Sequence, residues 1–545
     1  MDLTNIFDDV WRNPFTWMLP FVVYAETHYS FKGVYSRLKK REPELIVDAP
    51  HRVEPGRAIP ILVFMKDSDQ FPASVVHVEA QLLVKGKAIF SRTWMIRSPE
   101  YCQKYVSWVL NFDVPHKVRG AVQVDVTVTM TCDGKTRTYH NDNYRISSHE
   151  PLNVFVADER LPRTEGWYYG DMHCHTSYSE DQVEFGAPVE ASAQLSRAMG
   201  LDFFAATDHS YDLDDYIDNY LKNDPDLLKW QQYQHEIDRV NQDNPDFVVI
   251  PGEEVSAGNS ANRNVHFLIL NHPEFIPGKG DGAERWFRTR PDLRIPDILD
   301  QLGENTVAIA AHPETPTPFL QWLLIRRGRW TIRDYQHDRL DGMQFWNGVD
   351  DGSIERDLKH WVQLLLAGKR RFIVGGTDAH GNFNRFRQIG FPFWTMREHH
   401  EQVFGTVRTA VYVQGDFTLN NVLQALCRGR CLMTDGPFVD FYLTDESGTV
   451  YRSGDSAIGH SFTLSLKAKS SAEFGFLERI TLYCGDLKQQ TEIALELLNN
   501  KKKSHTLHLT IPWENSSEGG GYMRVECSTR TGRKCYTNPV WLIAD

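Results

Sequence analysis

The sequence predicts an α/β protein in which a domain of alternating strands and helices is flanked by two antiparallel β regions. Short runs of alternating apolar and polar residues occur in residues 1–165, from about residue 45 onward, and in residues 433–545. Between them, residues 166–432 alternate apolar, strand-like runs with amphipathic helical patterns. Strand and helix in alternation over such a length favour a parallel sheet, either closed as a barrel or doubly wound.

Residues 1–165 are predicted to form an immunoglobulin-like β-sandwich that follows an N-terminal extension. The β-type runs there include "RAIPILVFM" and "AVQVDVTVTM", and turn-forming stretches such as "CDGK" separate them. Residues 433–545 have the same texture, in "HSFTLSLKAKS", "RITLYCGD" and "SHTLHLTIPW". The sequence therefore predicts three domains, with a sandwich at each end.

Composition narrows the class of protein. The 545 residues carry a formal net charge of −13, which argues against a dedicated nucleic-acid or anionic-membrane binder. No run approaches the roughly 20 apolar residues that span a bilayer, and the N-terminal "MDLTNIFDD" is acidic where a signal peptide is basic. The eight cysteines form no CxxC pair and indicate buried thiols in reducing surroundings. We expect a cytoplasmic protein with a small-molecule substrate, and homo-oligomerisation stays open.

Potential metal ligands follow almost every predicted strand of the middle domain. They are His173 and His175 in "GDMHCHT", Asp208 and His209 in "AATDHS", Glu253 and Glu254 in "IPGEEVS", His266 in "VHFLIL", His312 in "IAAHPE", and Asp378 and His380 in "GGTDAHG". In a parallel α/β structure the carboxyl ends of the strands converge on one face, so ligands distant in sequence can meet there. Imidazole together with carboxylate suits Zn²⁺, Mn²⁺ or Fe²⁺.

Two pairs within this set have the spacing of neighbours on one face of a strand. Residues i and i+2 of a strand point the same way, so His173 pairs with His175 and Asp378 pairs with His380. By the same rule Cys174 points away from the metals. A polynuclear metal site is therefore predicted.

In their order along the chain, "DMHCHTSYSED", "TDH", "PGEE", "HP" and "TDAH" resemble the motifs of the PHP (polymerase and histidinol phosphatase) domain, whose fold is a distorted (β/α)7 barrel. The resemblance implies two to three divalent transition metal ions, with Glu254 rather than Glu253 as a bridging ligand. The ligand set that it implies is His173, His175, Asp181, His209, Glu254, His266, His312, Asp378 and His380.

The resemblance extends beyond the middle domain. "ALCRGRCLMTDGPFVDFYL", "QFWNG" and the terminal "TNPVWLIAD" are similar to the carbaryl-hydrolase-like branch of PHP metallohydrolases. That branch implies hydrolysis of an ester, carbamate or amide bond by a hydroxide bridging two metal ions. The alternatives are a phosphoesterase on the same metal site, and a binding protein whose metals are structural.

Roles follow for individual side chains. Glu254, Asp208, His209 and His312 are the candidate catalytic residues, with Asp208 alternatively orienting a ligand histidine. Asn347 in "QFWNG" and Arg385 in "GNFNRFRQIGFPFW" are candidate substrate contacts. An arginine would suit a phosphate group, whereas the aromatic residues around it would suit an aryl group.

Overall fold

The computed structural model describes residues 42–143, 149–179, 186–278, 289–317, 319–348, 350, 352–385, 388–391, 394–397, 402–499, 503–515 and 519–543. The predicted N-terminal extension falls in residues 1–41, outside the described residues.

Two sheets built from the first nine strands share one apolar core. The strands are β1 (Glu44–Asp48), β2 (Arg52–Val53), β3 (Ile59–Lys66), β4 (Ala73–Val84), β5 (Lys87–Met95), β6 (Tyr105–Phe112), β7 (Gly120–Cys132), β8 (Lys135–His140) and β9 (Leu152–Val156). One sheet has the order β1-β3-β6, and the other has the order β2-β9-β7-β4-β5 with β8 beside β7. Alternate residues of β4 and β7 are buried, as in "AVQVDVTVTM", so the period-two pattern sets which face packs inward.

Thirteen further strands follow, as far as residue 412 of the described chain. They are β10 (Trp167–His175), β11 (Phe203–His209), β12 (Asp215–Tyr216), β13 (Asn219–Asn223), β14 (Val248–Gly258), β15 (Asn264–Leu270), β16 (Val307–Ala311), β17 (Gly342–Asn347), β18 (Phe372–Gly376), β19 (Ala379–His380), β20 (Gln388–Phe391), β21 (Trp394–Arg397) and β22 (Arg408–Tyr412).

Helices lie between several of these strands. They are α1 (Val189–Met199), α2 (Ser210–Leu213), α3 (Leu228–Asp243), α4 (Ile295–Leu299), α5 (Phe319–Leu324), a 3-10 turn (Asp334–Gln336), α6 (Ser353–Leu366) and α7 (Leu419–Cys427). Helix α1 ends at Gly200, which adopts φ +93° and closes the helix with left-handed backbone. Its buried face, which includes Leu195 and Met199, packs into the apolar core.

Strands β10, β11 and β14 to β18 belong to a large mixed sheet, whereas, among the described strands, β12 and β13 pair only with each other. The central order of the large sheet is β18-β17-β16-β15-β14-β11-β10-β22. Strands β10, β11 and β14 are parallel, as are β16, β17 and β18, but β15 runs antiparallel to both of its neighbours. The connection from β14 to β15 covers residues 259–263 only, which is too short for the crossover that a parallel pair requires.

The prediction of a distorted (β/α)7 barrel is wrong. Within the described residues, β10, β11 and β14 to β18 are not a separate closed sheet with a helix after each strand. They are one part of a sixteen-stranded sheet that continues through β22 into C-terminal strands. Strand accounts for 46% of the structure and helix for 15%, so the fold is mostly β rather than α/β. An apolar run such as "VHFLIL" does not show whether a strand runs parallel or antiparallel to its neighbours, because a strand of either kind can be buried on both faces.

The C-terminal strands complete that sheet and add a second one. They are β23 (Cys431–Thr434), β24 (Phe438–Asp445), β25 (Val450–Arg452), β26 (Ser456–Ile458), β27 (Ser461–Lys469), β28 (Leu477–Asp486), β29 (Thr491–Asn499), β30 (Thr506–Glu514), β31 (Gly521–Thr529), β32 (Lys534–Thr537) and β33 (Val540–Ile543). The separate sheet has the order β25-β24-β27-β30. Leu464 and Leu466 on β27 share a core with Leu482 on β28 and Val525 on β31, so the two sheets pack face to face.

Two features bear on the environment of the protein. No helix among the described residues is long and apolar enough to cross a membrane. All eight cysteines are free thiols, and five of them are buried.

Candidate metal centre

Eight of the residues singled out in the sequence form one buried group, called here the histidine–carboxylate cluster. Its members are His173, His175, His209, Glu254, His266, His312, Asp378 and His380. Most stand where a strand ends: β10 ends at His175, β11 ends at His209, and His312 directly follows β16. The strand ends therefore bring together residues separated by up to two hundred positions, as the sequence predicts.

Glu254 lies at the centre of the cluster. Its carboxylate is 2.9 Å from Nδ1 of His209 and 3.1 Å from Nε2 of His312. Nε2 of His173 and Nε2 of His175 lie 3.4 and 3.5 Å away, and Nδ1 of a fifth histidine, His266, is closer still. Five imidazoles thus share one buried carboxylate.

Asp378 supplies the second carboxylate. Its Oδ1 lies 3.0 Å from Nε2 of His175 and 3.3 Å from Nε2 of His173. Its Oδ2 accepts hydrogen bonds from Asn347 at 3.1 Å and from Gln402 at 3.3 Å. Asp378 has φ +55°, so its backbone is left-handed and not extended. Asp378 and His380 therefore reach the cluster through this turn, and not as neighbours on one face of an extended strand as the sequence suggested.

The donor atoms converge in three overlapping groups. Each group has its ligand atoms within 4.8 Å of one another: His175, His209 and His380; His173, His175, Glu254 and Asp378; and His209, Glu254 and His266. The groups share His175, His209 and Glu254. Overlap of this kind is what a centre with more than one ion requires, because neighbouring ions share ligands.

Two side chains outside the predicted set, Gln344 and Ser179, orient imidazoles, and Gln402 holds Asp378. Nδ1 of His173 lies 3.1 Å from Oε1 of Gln344, which leaves Nε2 facing the carboxylates. Ser179 orients His175 in the same way, since the Ser179 hydroxyl lies 3.2 Å from Nδ1 of His175. Hydrogen bonds of this type fix the ring and tautomer of a metal-ligating histidine. The signal for Gln344 is a polar residue within the apolar strand "GMQFWN", whereas nothing in the sequence marks Gln402.

The cluster leaves polar atoms unsatisfied. Nε2 of His173, Nδ1 of His209 and Oε2 of Glu254 are buried and have no hydrogen-bond partner among the described residues, although both imidazole nitrogens lie within ion-pair distance of the Glu254 carboxylate. Buried polar groups are normally paired, and an orphaned group costs about 1–3 kcal/mol. Imidazole nitrogens and carboxylate oxygens facing each other in this way fit divalent cations between them.

The protonation states favour a cation in the same place. Burial disfavours charge on His173, but the carboxylates of Asp378 and Glu254 outweigh it and raise the pKa of His173 to about 9. Burial likewise opposes ionisation of Glu254, yet His266 and His173 hold its pKa well below the usual range. Burial and neighbouring imidazoles hold the pKa of His175 well below its usual range. The carboxylates therefore stay ionised beside a neutral His175, which can act as a ligand.

His266 reaches the cluster from the opposite strand direction to the others. It pairs with Ser256 across the antiparallel β14–β15 ladder, so it enters near the start of its strand. Its ring also contacts the guanidinium of Arg327, with Nη2 3.0 Å from Nδ1. The same Nδ1 faces the carboxylate of Glu254, so the guanidinium of Arg327 and the carboxylate meet at one ring nitrogen of His266.

The remaining predicted residues lie in different places. Asp208 is buried and accepts hydrogen bonds from Thr176 and Ser179, so it holds the loop after β10 and faces away from the cluster. Asn347 borders the cluster through Asp378. Arg385 is buried against β1, where its backbone nitrogen donates to Asp48 at 2.9 Å, and it does not meet the cluster. Asp181 lies outside the described residues.

Cys174 and Glu253, each next to a member of the cluster in the sequence, contact other parts of the fold. Cys174 is buried in the apolar core, its thiol donates to the carbonyl of Ala205, and burial raises its pKa well above the usual range. Glu253 accepts a hydrogen bond from Trp230 at 2.8 Å, and burial raises its pKa to about 8. As expected from alternation along the strand, both point away from the cluster.

No family model matches the chain, and no curated protein matches it. Among solved structures, the chain is similar to a putative β-galactosidase from Bacteroides fragilis at 10% identity, over 92% of this chain and 73% of that one, with a TM-score of 0.19. A β-glucuronidase from Parabacteroides merdae has 8% identity over 93% of this chain and 66% of that one, with a TM-score of 0.19. A β-glucuronidase from Bacteroides uniformis has 8% identity over 92% and 61%, with a TM-score of 0.19. The chain thus spans less than two thirds of both β-glucuronidases.

These findings correct the family assignment. No family model matches the chain, and its described strands do not form the closed barrel of the PHP fold, so the assignment to PHP metallohydrolases and to their carbaryl-hydrolase-like branch is wrong. The cleavage of an ester, carbamate, amide or phosphate ester by a metal-bridging hydroxide followed from that resemblance and is corrected with it. TM-scores of 0.19 do not assign the chain to the glycosidases either.

Proposed function

We propose that this protein is a metal-dependent hydrolytic enzyme whose active centre is the histidine–carboxylate cluster. The observation that carries the proposal is the burial of five imidazoles around Glu254 with three of the facing polar atoms unsatisfied. The overlapping donor groups support two or three divalent ions of the zinc, manganese or iron type. Such ions would act as Lewis acids toward an oxygen of a small-molecule substrate.

The residues of the chain would hold and orient the ions. His173, His175, Glu254 and Asp378 would supply one set of ligands, while His209 and His380 would extend it. Gln344 fixes the tautomer of His173, and Asn347 and Gln402 fix the rotamer of Asp378. His312, which lies 3.1 Å from Glu254 and is 8% exposed, is placed to be a ligand or to carry a proton at Nε2.

A purely structural metal is the weaker alternative. Closed structural zinc sites use four ligands, commonly including cysteine. The cluster holds no cysteine, and Cys174 beside it points into the apolar core. The number of imidazole and carboxylate donors exceeds what one closed tetrahedral ion needs.

Metal analysis of the purified protein tests the proposal. We expect at least one transition metal ion per chain in the wild type and a much lower content in Glu254→Gln. The matched control is Glu304→Gln, because Glu304 is exposed and distant in the fold from the strand ends. A wild type with less than one ion per chain after reconstitution with Zn²⁺ or Mn²⁺ would contradict the proposed centre.

The reaction class needs a second measurement. A panel of chromogenic substrates with different scissile bonds, 4-nitrophenyl β-glucuronide and β-galactoside among them, is assayed with and without a chelator. Turnover that is lost on chelation and in Glu254→Gln supports a metal-dependent hydrolase. Turnover of the glycosides that resists both treatments would favour a metal-independent glycosidase.

A further inference from the structure

A cavity of about 280 Å³, separate from the histidine–carboxylate cluster, lies between the N-terminal sheets and α3. Strand β6, the loop after β10 and one face of α3 enclose it, and it contains no member of the histidine–carboxylate cluster. The residues that matter for its chemistry are Lys104, Tyr105, Tyr178, Ile217, Lys229 and Glu236.

Lys229 is the unusual member of this lining. It is only 5% exposed, although lysine is among the residues least often buried. In the part of the chain that the structure describes, no hydrogen bond or ion pair joins its ammonium to another residue. A lysine with a buried stem places its charged end where water or a ligand can reach it, which here is the cavity.

The other charged groups around the cavity are already paired. Glu236 accepts a hydrogen bond from the Tyr178 hydroxyl at 2.8 Å. Arg239 lies 3.5 Å from Glu190. Lys104 donates to a backbone carbonyl. Among the cations that line the cavity, Lys229 is the one with no hydrogen bond or ion pair to the described residues.

A lysine in this setting does not stabilise the fold. Burying its stem orders a flexible side chain while its ammonium gains no partner among the described residues, so an apolar residue of similar volume would be neutral or better. Positions that oppose stability in this way are characteristic of functional sites.

We propose that the cavity binds the carboxylate of a small organic acid, with Lys229 as its counter-ion. One unpaired cation matches one negative charge, whereas a phosphate would call for more than one cation or for a bidentate arginine. The walls contributed by Tyr105, Tyr178 and Ile217 suit an apolar or aromatic body. The volume has room for about ten non-hydrogen atoms.

Ligand-observed NMR titrations of the whole protein with benzoate and with benzamide test the proposal. Both probes have the same ring, but only benzoate carries a charge. We expect benzoate to bind at least about tenfold more tightly than benzamide, the difference that one charge-assisted hydrogen bond makes. Equal binding of the two probes would overturn the proposal.

Substitutions locate the site. Lys229→Met should weaken benzoate binding about tenfold or more and leave the thermal midpoint unchanged or higher, whereas Lys229→Arg should keep binding. Lys359→Met is the control, because Lys359 is an exposed lysine on helix α6. Wild-type affinity in Lys229→Met would contradict the assignment.

A chelator arm separates this site from the metal centre, because a carboxylate can also bind a metal ion. Benzoate binding at Lys229 should persist when metal is removed, even if the proposed function fails. Benzoate binding that disappears on chelation would place the probe at the metal centre and overturn the inference.

Discussion

The side-chain oxygen of Gln344 lies 3.1 Å from Nδ1 of His173 and 3.2 Å from the backbone nitrogen of His312. One amide on β17 therefore positions both a ligand ring and the turn that carries a second histidine. The nitrogen of the same amide donates to Asn347 at 2.7 Å, which in turn holds Asp378. Gln344 thus connects three members of the cluster without belonging to it.

Gln344→Leu should weaken metal binding about 10–100-fold, the usual effect of removing a hydrogen-bond partner of a ligand histidine. The Leu side chain has a similar volume, so the fold should persist. A competition titration with a chromophoric zinc chelator measures the change. Gln424→Leu, at an exposed position on α7, serves as the control. Unchanged zinc affinity in Gln344→Leu would show that the amide does not orient a ligand.

Asp378→Asn should lower the metal content of the purified protein by at least one ion per chain. The change keeps the shape of the side chain but removes the negative charge that lies 3.0 Å from His175. Elemental analysis gives the measurement, with Asp338→Asn as a fully exposed control. Full metal content in Asp378→Asn would remove Asp378 from the ligand set.

Gly376→Ala should disturb the cluster through packing alone. A Cβ at this position would stand 2.7 Å from the backbone nitrogen of His173 and 2.8 Å from its Cβ, so β18 and β10 would have to separate. Overpacking of this kind typically costs about 1–3 kcal/mol. The midpoint of urea unfolding and the metal content of the purified protein should both fall.

Gly303→Ala provides the comparison for that variant, since a Cβ there meets nothing within 4 Å. We expect the midpoint of urea unfolding for Gly303→Ala to stay at the wild-type value. Equal behaviour of the two alanine variants would contradict a close approach of the strands at Gly376.

We expect His51, which lies outside the cluster, to make the free energy of unfolding decrease in acid. Burial and the guanidinium of Arg52 lower the pKa of His51 to about 3, and its Nδ1 is buried without a hydrogen-bond partner among the described residues. The pKa in the folded state lies below that of the unfolded chain, about 6.5. His51 therefore does not reduce the free energy of unfolding above pH 6.5, and it reduces that free energy progressively as the pH falls from 6.5 toward 3.

His51→Asn should remove this dependence. Between pH 7.5 and pH 5, the wild type should lose about 2 kcal/mol of unfolding free energy more than the variant does, because the unfolded chain takes up a proton that the folded chain refuses. Urea unfolding at the two pH values measures the difference. His116→Asn, at an exposed position, should follow the wild type. Parallel pH profiles of wild type and His51→Asn would contradict the lowered pKa.

The candidate site was more predictable from the sequence than the fold was. Short motifs such as "MHCH" and "TDAH" carry potential ligand residues near strand ends, and the carboxyl ends of neighbouring parallel strands lie at one edge of a sheet. The architecture around them depends on contacts distant in sequence. The direction of β15 followed from a five-residue connection at 259–263, and the junction of β22 with β10 and β23 merged two predicted domains into one sheet.

The sequence by itself determined the chemistry of the centre: imidazoles and carboxylates at strand ends, with Cys174 turned away by strand alternation. Only the tertiary structure decided which of these groups meet and what supports them. It placed Gln344 behind His173, took Arg385 to β1, and left Lys229 without a partner in its cavity. The physical reason is that residue type fixes what a side chain can bind, whereas packing of strands distant in sequence fixes what it faces.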